Sequence, residues 1–433
     1  MNVIQASAWF PPDSFGGVEV YLEGLIQDLQ ALGLHSKVAA ARSRDKTSIE
    51  SYHDTEVYRY PTEDFKAFQT WLVSNQSEIY HQHTLRPGCG IPHLCYAKQL
   101  GMKTVMTVHM PDLACLRGTM MQGGHSACDG KIDIARCSTC LGVSKRVPTW
   151  VAEGLSALPS PIALRVRDRL RQHPDLRFRQ LGTTIATPMQ VRAQRQQFDQ
   201  LVELSDRIVV VCQWLYDAFV LNGVPESQLV LSRHGVAIEN RPDSSDNLAS
   251  ILRPIRIGFL GRWQETKGVQ ILVEALQLIP NAPVELIIHA THADSHGAAN
   301  RDRVHAIAQQ DARIQIKPPL ARTDISHAIA GFDLLAVPSQ WLETGPLVVL
   351  EAFAVGTPVI GSNLGGIAEL VSHDVDGWLV PATDCTAWAG AIANLAEHPE
   401  MILQLKQNIP PVKTRQAVAQ EMLQLYQSLM REH

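Results

Sequence analysis

Residues 338–370 read PSQWLETGPLVVLEAFAVGTPVIGSNLGGIAEL and contain two glutamates eight positions apart, Glu343 and Glu351. Pro346 opens an apolar run between them, and a Gly-Thr-Pro sequence follows that run. Proline is favoured in the first turn of a helix, and glycine followed by proline ends one. The pattern therefore predicts a helix over about 346–355, with Glu343 in the loop before it and Glu351 inside it.

This loop and helix suit a phosphorylated ligand that carries several hydroxyl groups. Free N–H groups and the positive dipole end of a helix N-terminus attract phosphate oxygens. Glu351 can accept hydrogen bonds from vicinal hydroxyls, and Glu343 can bind a second polyol or hold negative charge near a reacting carbon. A buried helix with two surface glutamates is the alternative. A second glycine-rich loop, Gly365-Gly366, follows the next apolar run and favours the functional interpretation.

The composition is that of a globular protein with two or three domains. The chain has 433 residues, of which 45% are hydrophobic and 19% charged, and its net charge of −5 disfavours nucleic acid as a partner. No apolar run approaches the roughly 18 residues of a membrane-spanning helix, and the N-terminus lacks a signal-peptide pattern. Eight cysteines without that pattern predict a reducing compartment, and hence a cytoplasmic protein.

Apolar runs alternate with helical patterns along the chain, which predicts an α/β fold with parallel sheets. The polar segment 239–253 predicts a linker between a first domain, 1–238, and a second domain, 254–410. A last helix in 411–433 is expected to return to the first domain. The predicted strands are 2–8, 37–41, 56–60, 79–83, 103–109, 206–212 and 230–236, then 255–260, 284–289, 313–316, 334–337 and 378–381.

In the first domain, two features at strand ends indicate a binding site. Gly16-Gly17 follows the first strand and precedes a helical pattern, so backbone can approach a ligand closely there, although a tight turn needs glycine as well. His83 and His109 each end a predicted strand. Because ligands bind at the carboxyl ends of parallel strands, both histidines are site candidates, with a structural histidine as the alternative.

An insertion at about 111–200 interrupts the α/β pattern. It contains four cysteines that could hold a tetrahedral zinc, with free thiols as the main alternative: Cys115, Cys128, Cys137 and Cys140. Between Lys145 and Arg195 the chain has ten Lys/Arg and three acidic residues. The part at 162–171 predicts either a basic amphipathic helix on an anionic membrane surface or a solvated face.

The second domain restarts with a strand and a loop that contains two cations, Arg262 and Lys267. A helical pattern follows this loop directly. An arginine fork and a lysine point charge beside a helix N-terminus can bind a diphosphate. Surface solubility is the alternative for these two residues.

Taken together, these motifs resemble those of family 4 retaining glycosyltransferases, the glycosyl transferases group 1 with the GT-B fold. The resemblance covers nearly the whole chain and is most specific in the segment from Glu343 to Glu351. A subset of the family carries a similar Cys-containing insertion. The supporting motifs are Gly16-Gly17-Val18-Glu19, Thr107-Val108-His109, the Gly261–Gly268 loop and Asp376-Gly377-Trp378-Leu379-Val380.

The resemblance implies two Rossmann-like domains facing across a cleft, with a nucleotide sugar bound mainly by the second. Arg262 and Lys267 would bind its diphosphate, Glu351 its ribose, and Glu343 the transferred sugar. Backbone N–H groups from Gly345 to Leu347 would help to hold sugar and phosphate. From the first domain, Gly16 and Gly17 would close over the phosphates, and His109 would lie beside the donor sugar, with His83 on the acceptor side.

The expected activity is transfer of a hexose, with retention, from a nucleoside diphosphate sugar to a glycan or lipid-linked acceptor. Synthesis of cell-surface polysaccharide or glycoconjugate is the expected role, at the inner face of the membrane or in the cytoplasm. No cofactor is expected for catalysis itself. A GT-B-type isomerase or phosphorylase acting on a sugar phosphate is the alternative, and a non-catalytic nucleotide-binding protein is a third hypothesis.

Overall fold

A computed structural model describes residues 1–41, 46–157, 165, 169–170, 172–237, 253–291 and 295–432. The chain divides into two compact units. The first unit contains Met1–Ser232 together with Ala419–His433, and the second contains Arg233–Val418. The predicted linker at 239–253 lies outside the described residues except for Arg253, and most of the predicted basic helix at 162–171 also lies outside them.

The first unit is built on an eight-stranded sheet. Its strand order is β10-β9-β6-β5-β1-β2-β4-β3, and every pair is parallel except β3 with β4. A separate antiparallel hairpin lies in the insertion. The strands are β1 Val3–Ser7, β2 Ser36–Ala40, β3 Ser48–Tyr52, β4 Thr55–Arg59, β5 Ile79–Gln82, β6 Lys103–Val108, β7 Met121–Gln122, β8 Ser126–Ala127, β9 Arg207–Val210 and β10 Leu229–Leu231.

Helices cover the connections of this sheet, and their apolar spacing explains how they pack. In the first helix, Leu22, Leu25 and Leu29 recur every three or four residues and are buried against the sheet. The α-helices of the first unit are Gly17–Ala31, Phe65–Ser74, Ile91–Gln99, Ile134–Cys140, Thr149–Ser156, Leu176–Leu204 and Gln213–Leu221.

The second unit is built on a six-stranded parallel sheet with the order β13-β12-β11-β14-β15-β16. Its strands are β11 Ile255–Arg262, β12 Val284–Thr291, β13 Ile314–Lys317, β14 Leu334–Val337, β15 Val359–Ser362 and β16 Gly377–Val380. Its α-helices are Val269–Leu278, Ser295–Ala308, Ile325–Ala330, Leu347–Ala354, Gly365–Leu370, Cys385–Glu397 and Pro399–Asn408. The α/β class is confirmed, with one parallel sheet and one sheet that is parallel except for its edge strand β3.

The last helix, Arg415–Arg431, carries the chain back to the first unit, as predicted. Met422, Tyr426 and Leu429 on this helix are fully buried. Within the described residues, no helix is long and apolar enough to cross a membrane.

Candidate functional site

In the second unit, the candidate residues lie in loops at the carboxyl ends of three neighbouring strands. β11 leads to the loop with Lys267, β14 leads to the loop with Glu343, and β15 leads to Gly365. β11 and β14 are adjacent in the sheet although two strands, β12 and β13, separate them along the chain. Such a reversal of strand order opens a crevice in which α/β proteins bind ligands.

Lys267 and Glu343 form an ion pair in this crevice. Nζ of Lys267 lies 2.6 Å from Oε1 of Glu343. The same oxygen accepts hydrogen bonds from Oγ of Ser339 at 2.8 Å and from Nε1 of Trp341 at 2.9 Å. Three donors on a buried carboxylate oxygen fix the orientation of the Glu343 side chain.

Close backbone contacts hold the loops of Lys267 and Glu343 together. Gly268 has a φ of +77°, and a Cβ there would lie 1.8 Å from the carbonyl oxygen of Pro338. The amide of Gly366 donates to the carbonyl of Glu343 at 2.7 Å, and a Cβ on Gly366 would lie 2.6 Å from that oxygen. Glycine is therefore required where these segments meet.

The helix after Glu343 begins one residue later than predicted. It spans Leu347–Ala354, and Pro346 precedes it with an extended ψ of 121°. The N–H groups of the first turn lie at the Glu343 loop, and Glu351 is half-buried inside the helix. Gly345 has a φ of +124°, which favours glycine.

Arg262 differs from Lys267 in its surroundings. It is the last residue of β11 and is exposed. Its guanidinium has no ionic or hydrogen-bonding partner among the residues that the structure describes. Of the two predicted phosphate ligands, Lys267 is therefore neutralised by a carboxylate, whereas Arg262 presents its charge to solvent.

In the first unit, the predicted glycines lie at the start of a long helix. Gly17 begins the 15-residue helix that follows β1, and nothing lies within 4 Å of where its Cβ would be. A Cβ on Gly16 would lie 2.4 Å from a carboxylate oxygen of Glu19, which is buried in the first turn. Gly16 therefore leaves room for a buried carboxylate, and Gly17 presents open backbone.

The two predicted histidines contact each other. Nδ1 of His83 lies 3.2 Å from Nε2 of His109, and the ring of Tyr21 packs edge-on against His109 with the ring centres 4.7 Å apart. Both histidines line a pocket of about 310 Å³, together with Val18, Arg86 and other residues after β5 and β6. Burial lowers the pKa of His83 well below its usual range, which keeps that ring neutral.

Four residues that are hydrogen-bonded to one another near these histidines were not among the predicted site residues: Gln5, His81, Thr107 and Tyr426. Three of them lie on neighbouring strands, where alternate residues share one face of the sheet. His81-x-His83 and Thr107-x-His109 carry that period-two signal. Tyr426 comes from the last helix, and no local pattern indicates its position.

The four cysteines of the insertion all line one pocket, whose empty space is about 440 Å³ when the part open to solvent is included. Sγ of Cys140 accepts a hydrogen bond from the amide of Gly123 at 3.2 Å. Burial raises the pKa of the Cys128 and Cys137 thiols. Within the described part of the chain, no group of three or more His, Cys, Asp or Glu side chains is arranged to hold a metal ion. All four predicted ligands therefore line the same pocket, and the tetrahedral zinc site stays a prediction.

Comparison with known proteins finds a family match within the second unit. Residues 254–398 match the glycosyl transferases group 1 family. A D-inositol 3-phosphate glycosyltransferase of Mycobacterium marinum is 34% identical over 142 residues, which is 32% of this chain and 30% of that protein. The enzyme of the same name from Mycobacterium sp. strain KMS is 30% identical over 205 residues, which is 45% of this chain and 46% of the relative. The matches thus span less than half of these relatives.

Solved structures match over the whole chain. Sucrose-phosphate synthase from Thermosynechococcus elongatus gives a TM-score of 0.67 at 18% identity and covers 100% of both chains. Anabaena HepE in complex with UDP and glucose gives 0.61 at 15% identity, covering 100% of this chain and 98% of that one. These likenesses establish the GT-B fold. Residues 254–398 thus match the glycosyl transferases group 1 domain.

Proposed function

We propose that this protein is a retaining glycosyltransferase that takes a hexose from a nucleoside diphosphate sugar. The observation that carries the proposal is the pair of Lys267 and Glu343 at the strand-order reversal of the second unit, 2.6 Å apart. This crevice combines a fixed cation, a fixed carboxylate and a helix N-terminus, which are the groups that a sugar diphosphate needs. The relatives' transferase names and the UDP bound in HepE support the choice of donor.

Each group of the second unit has a proposed role toward the donor. Arg262 and Lys267 bind the diphosphate, and the backbone N–H groups from Gly345 to Leu347 assist them. Glu351 accepts hydrogen bonds from the ribose. Glu343 contacts the transferred sugar near its anomeric carbon, and it also holds the Lys267 ammonium in place.

The proposed reaction breaks the bond between the anomeric carbon and the diphosphate oxygen, which leaves with the electron pair. The cations and the helix N-terminus stabilise the growing charge on that oxygen. An acceptor hydroxyl attacks the oxocarbenium-like carbon from the same face, and its proton passes to the departing phosphate. Neither glutamate acts as a general base in this scheme.

The first unit is proposed to complete the site and to bind the acceptor. Gly16 and Gly17 present backbone to the phosphates at a helix N-terminus. His109 lies beside the donor sugar, and His83 faces the acceptor. A glycan or lipid-linked acceptor, in the synthesis of cell-surface polysaccharide or glycoconjugate, fits a protein with the basic insertion described above.

We also propose that the insertion contacts an anionic membrane surface from the cytoplasmic side. Trp150 is 72% exposed on the helix Thr149–Ser156, just after the exposed cations Lys145 and Arg146. An exposed tryptophan beside cations is typical of proteins that bind at the lipid interface. Sedimentation with phosphatidylglycerol vesicles should capture the protein at low salt, and Trp150→Ala should weaken capture. If the vesicles capture Trp150→Ala and the wild type equally, the proposed contact of the insertion with the membrane surface is contradicted.

Mass spectrometry of the products tests the transferase proposal. The full chain is incubated with a panel of nucleoside diphosphate hexoses and acceptor glycans or lipids. We expect a glycosylated acceptor and free nucleoside diphosphate in equal amounts. An isomerised sugar phosphate, or a sugar 1-phosphate formed with inorganic phosphate, would contradict the proposal, because a transferase yields neither.

A further inference from the structure

His234 forms a hydrogen bond with the loop that carries Glu343. Its Nδ1 lies 3.2 Å from the carbonyl oxygen of Gly345, which is 111 positions away in the sequence. A carbonyl oxygen can only accept a hydrogen bond, so Nδ1 of His234 carries the proton. Burial lowers the pKa of this histidine to about 4, so the ring donates as a neutral imidazole at working pH.

Backbone pairing fixes the segment on which His234 lies. The amide of Val236 donates to the carbonyl of Lys413 at 3.0 Å, and the amide of Arg415 donates to the carbonyl of Val236 at 3.1 Å. The histidine side chain itself is buried. Because these backbone bonds lie outside the Glu343 loop, His234 is held in place independently of the loop that it contacts.

The bond from His234 holds a peptide unit that has only one group to offer. Gly345 has a φ of +124°, a conformation open to glycine, and the next residue, Pro346, has no N–H. The carbonyl of Gly345 is therefore the group by which a neighbour can fix this peptide. The amides of Gly345 and Leu347 have no acceptor among the residues that the structure describes.

The direction of this carbonyl matters for an anionic ligand. A carbonyl oxygen carries negative partial charge, opposite in sign to the N–H groups at a helix N-terminus. Without the bond to His234 the Gly345 peptide can rotate. Each orientation that brings its oxygen toward the amides of Gly345 and Leu347 weakens their attraction for phosphate.

We propose that His234 is a positioning residue for the donor site. By holding the carbonyl of Gly345, it keeps the amides of Gly345 and Leu347 in the arrangement that binds the diphosphate. His234 acts through the backbone of the Glu343 loop. That the ligand is a nucleoside diphosphate sugar rests on the proposed function, whereas the ordering of the loop by His234 does not.

Hydrogen–deuterium exchange of the full chain without ligand, followed by mass spectrometry, tests the ordering of the loop. The amide of Val349 donates to the carbonyl of Pro346 at 3.1 Å, so its exchange reports on the first turn of the helix. His234→Leu removes the donor and should speed exchange at residues 349–351 by on the order of tenfold. His234→Asn should keep the wild-type exchange, because the Nδ2 of asparagine can occupy the position of the histidine Nδ1.

A second variant and a matched control separate this role from a general loss of packing. In His234→Gln the side-chain amide lies one bond farther from the backbone, so the bond to Gly345 is lost and exchange should increase as in His234→Leu. The control is Thr357→Val. The hydroxyl of Thr357 is a buried donor to the carbonyl of Ile329 at 3.0 Å, beyond the C-terminal end of the helix Leu347–Ala354. Its loss should leave exchange in the first turn unchanged.

Calorimetric titration with UDP and with ADP gives a second readout. His234→Leu and His234→Gln should bind nucleoside diphosphate about tenfold more weakly than the wild type, whereas His234→Asn and Thr357→Val should bind it as the wild type does. Unchanged exchange in both folded variants would overturn the proposal, and so would unchanged affinity for a nucleotide that the wild type binds. A wild type that binds neither nucleotide would overturn only the proposed function, because the exchange is recorded without ligand.

Discussion

Nζ of Lys267 lies 2.6 Å from Oε1 of Glu343, although 76 positions of sequence separate the two residues. The two loops meet because β11 and β14 are adjacent and parallel. Glycine at 268 allows the Lys267 loop to touch the carbonyl of Pro338. The position of β11 next to β14 in the sheet thus brings Lys267 and Glu343 together.

Removal of one partner of this pair should cost more stability than removal of both. Lys267→Met leaves a buried carboxylate without its cation, which should lower the free energy of unfolding by about 3 kcal/mol. In Glu343→Gln the side-chain oxygen can still accept from Ser339 and Trp341. The double variant should therefore be more stable than Lys267→Met alone. Urea unfolding of the wild type, the two single variants and the double variant gives the coupling free energy between the two side chains. If the stability losses of the single variants add up to that of the double variant, the ion pair is contradicted.

Arg262 should affect ligand affinity without affecting stability. Because its guanidinium is exposed and has no partner in the described part of the chain, Arg262→Ala should change the free energy of unfolding by less than about 0.5 kcal/mol. It should weaken binding of nucleoside diphosphates, and the loss should shrink at high salt. Arg301→Ala, which removes an exposed cation paired with Asp302, is the control and should leave affinity unchanged.

Gly268 should not tolerate a side chain. Its φ is positive, and a Cβ there would lie 1.8 Å from the carbonyl oxygen of Pro338, so Gly268→Ala must displace one of the two loops. We expect a loss of about 2 kcal/mol or more in stability, measured by thermal or urea unfolding, together with weaker donor binding. The control is Gly390→Ala, because Gly390 lies inside the helix Cys385–Glu397 with nothing within 4 Å. That substitution should stabilise the protein by about 0.5–1 kcal/mol.

Buried neutral histidines should make the protein sensitive to acid. Burial lowers the pKa of His81 to about 3 and the pKa values of His93 and His234 to about 4. Each folded-state pKa is below the unfolded value of about 6.5. The contribution of each histidine is therefore complete above pH 6.5 and is lost as the pH falls toward 4. By linkage, each should cost about 2 kcal/mol between pH 8 and pH 5.

Urea unfolding at the two pH values measures this loss. His93→Asn keeps an acceptor for the amide of Gly90, which now bonds Nδ1 of His93, and should reduce the loss by about 2 kcal/mol. His35→Asn changes an exposed histidine and should leave the stability loss between pH 8 and pH 5 unchanged. Equal pH dependence in wild type and His93→Asn would show that His93 is not buried in its neutral form.

Local periodicity was sufficient to predict most strands and helices of the two sheets. It predicted the strand Leu334–Val337 and the helix Val269–Leu278 with the bounds that the structure has. It missed β3, because an antiparallel edge strand with alternating exposure lacks a continuous apolar run. It also missed the 29-residue helix Leu176–Leu204, because Pro188 lies inside it and its polar composition weakens the apolar period.

The site was predictable only where its residues follow strands. Lys267, Glu343, His83 and His109 were chosen because each comes after an apolar run, and the structure brings them together as two pairs. Gln5 and Tyr426 could not be found in this way, because they meet through packing of the last helix on the first sheet. The four cysteines of the insertion line one pocket, and their arrangement depends on the conformation of the insertion loops, which no spacing rule determines.

Calorimetric titration of nucleoside diphosphates tests the central claim most directly, that the Lys267–Glu343 crevice binds a sugar-nucleotide diphosphate. Wild type and Arg301→Ala should bind one nucleoside diphosphate equally tightly. Lys267→Met and Arg262→Ala, confirmed as folded at the temperature of the titration, should each bind it at least about tenfold more weakly, the loss for about 1.4 kcal/mol of charge-assisted hydrogen bonding. Unchanged affinity in both folded variants would contradict the account.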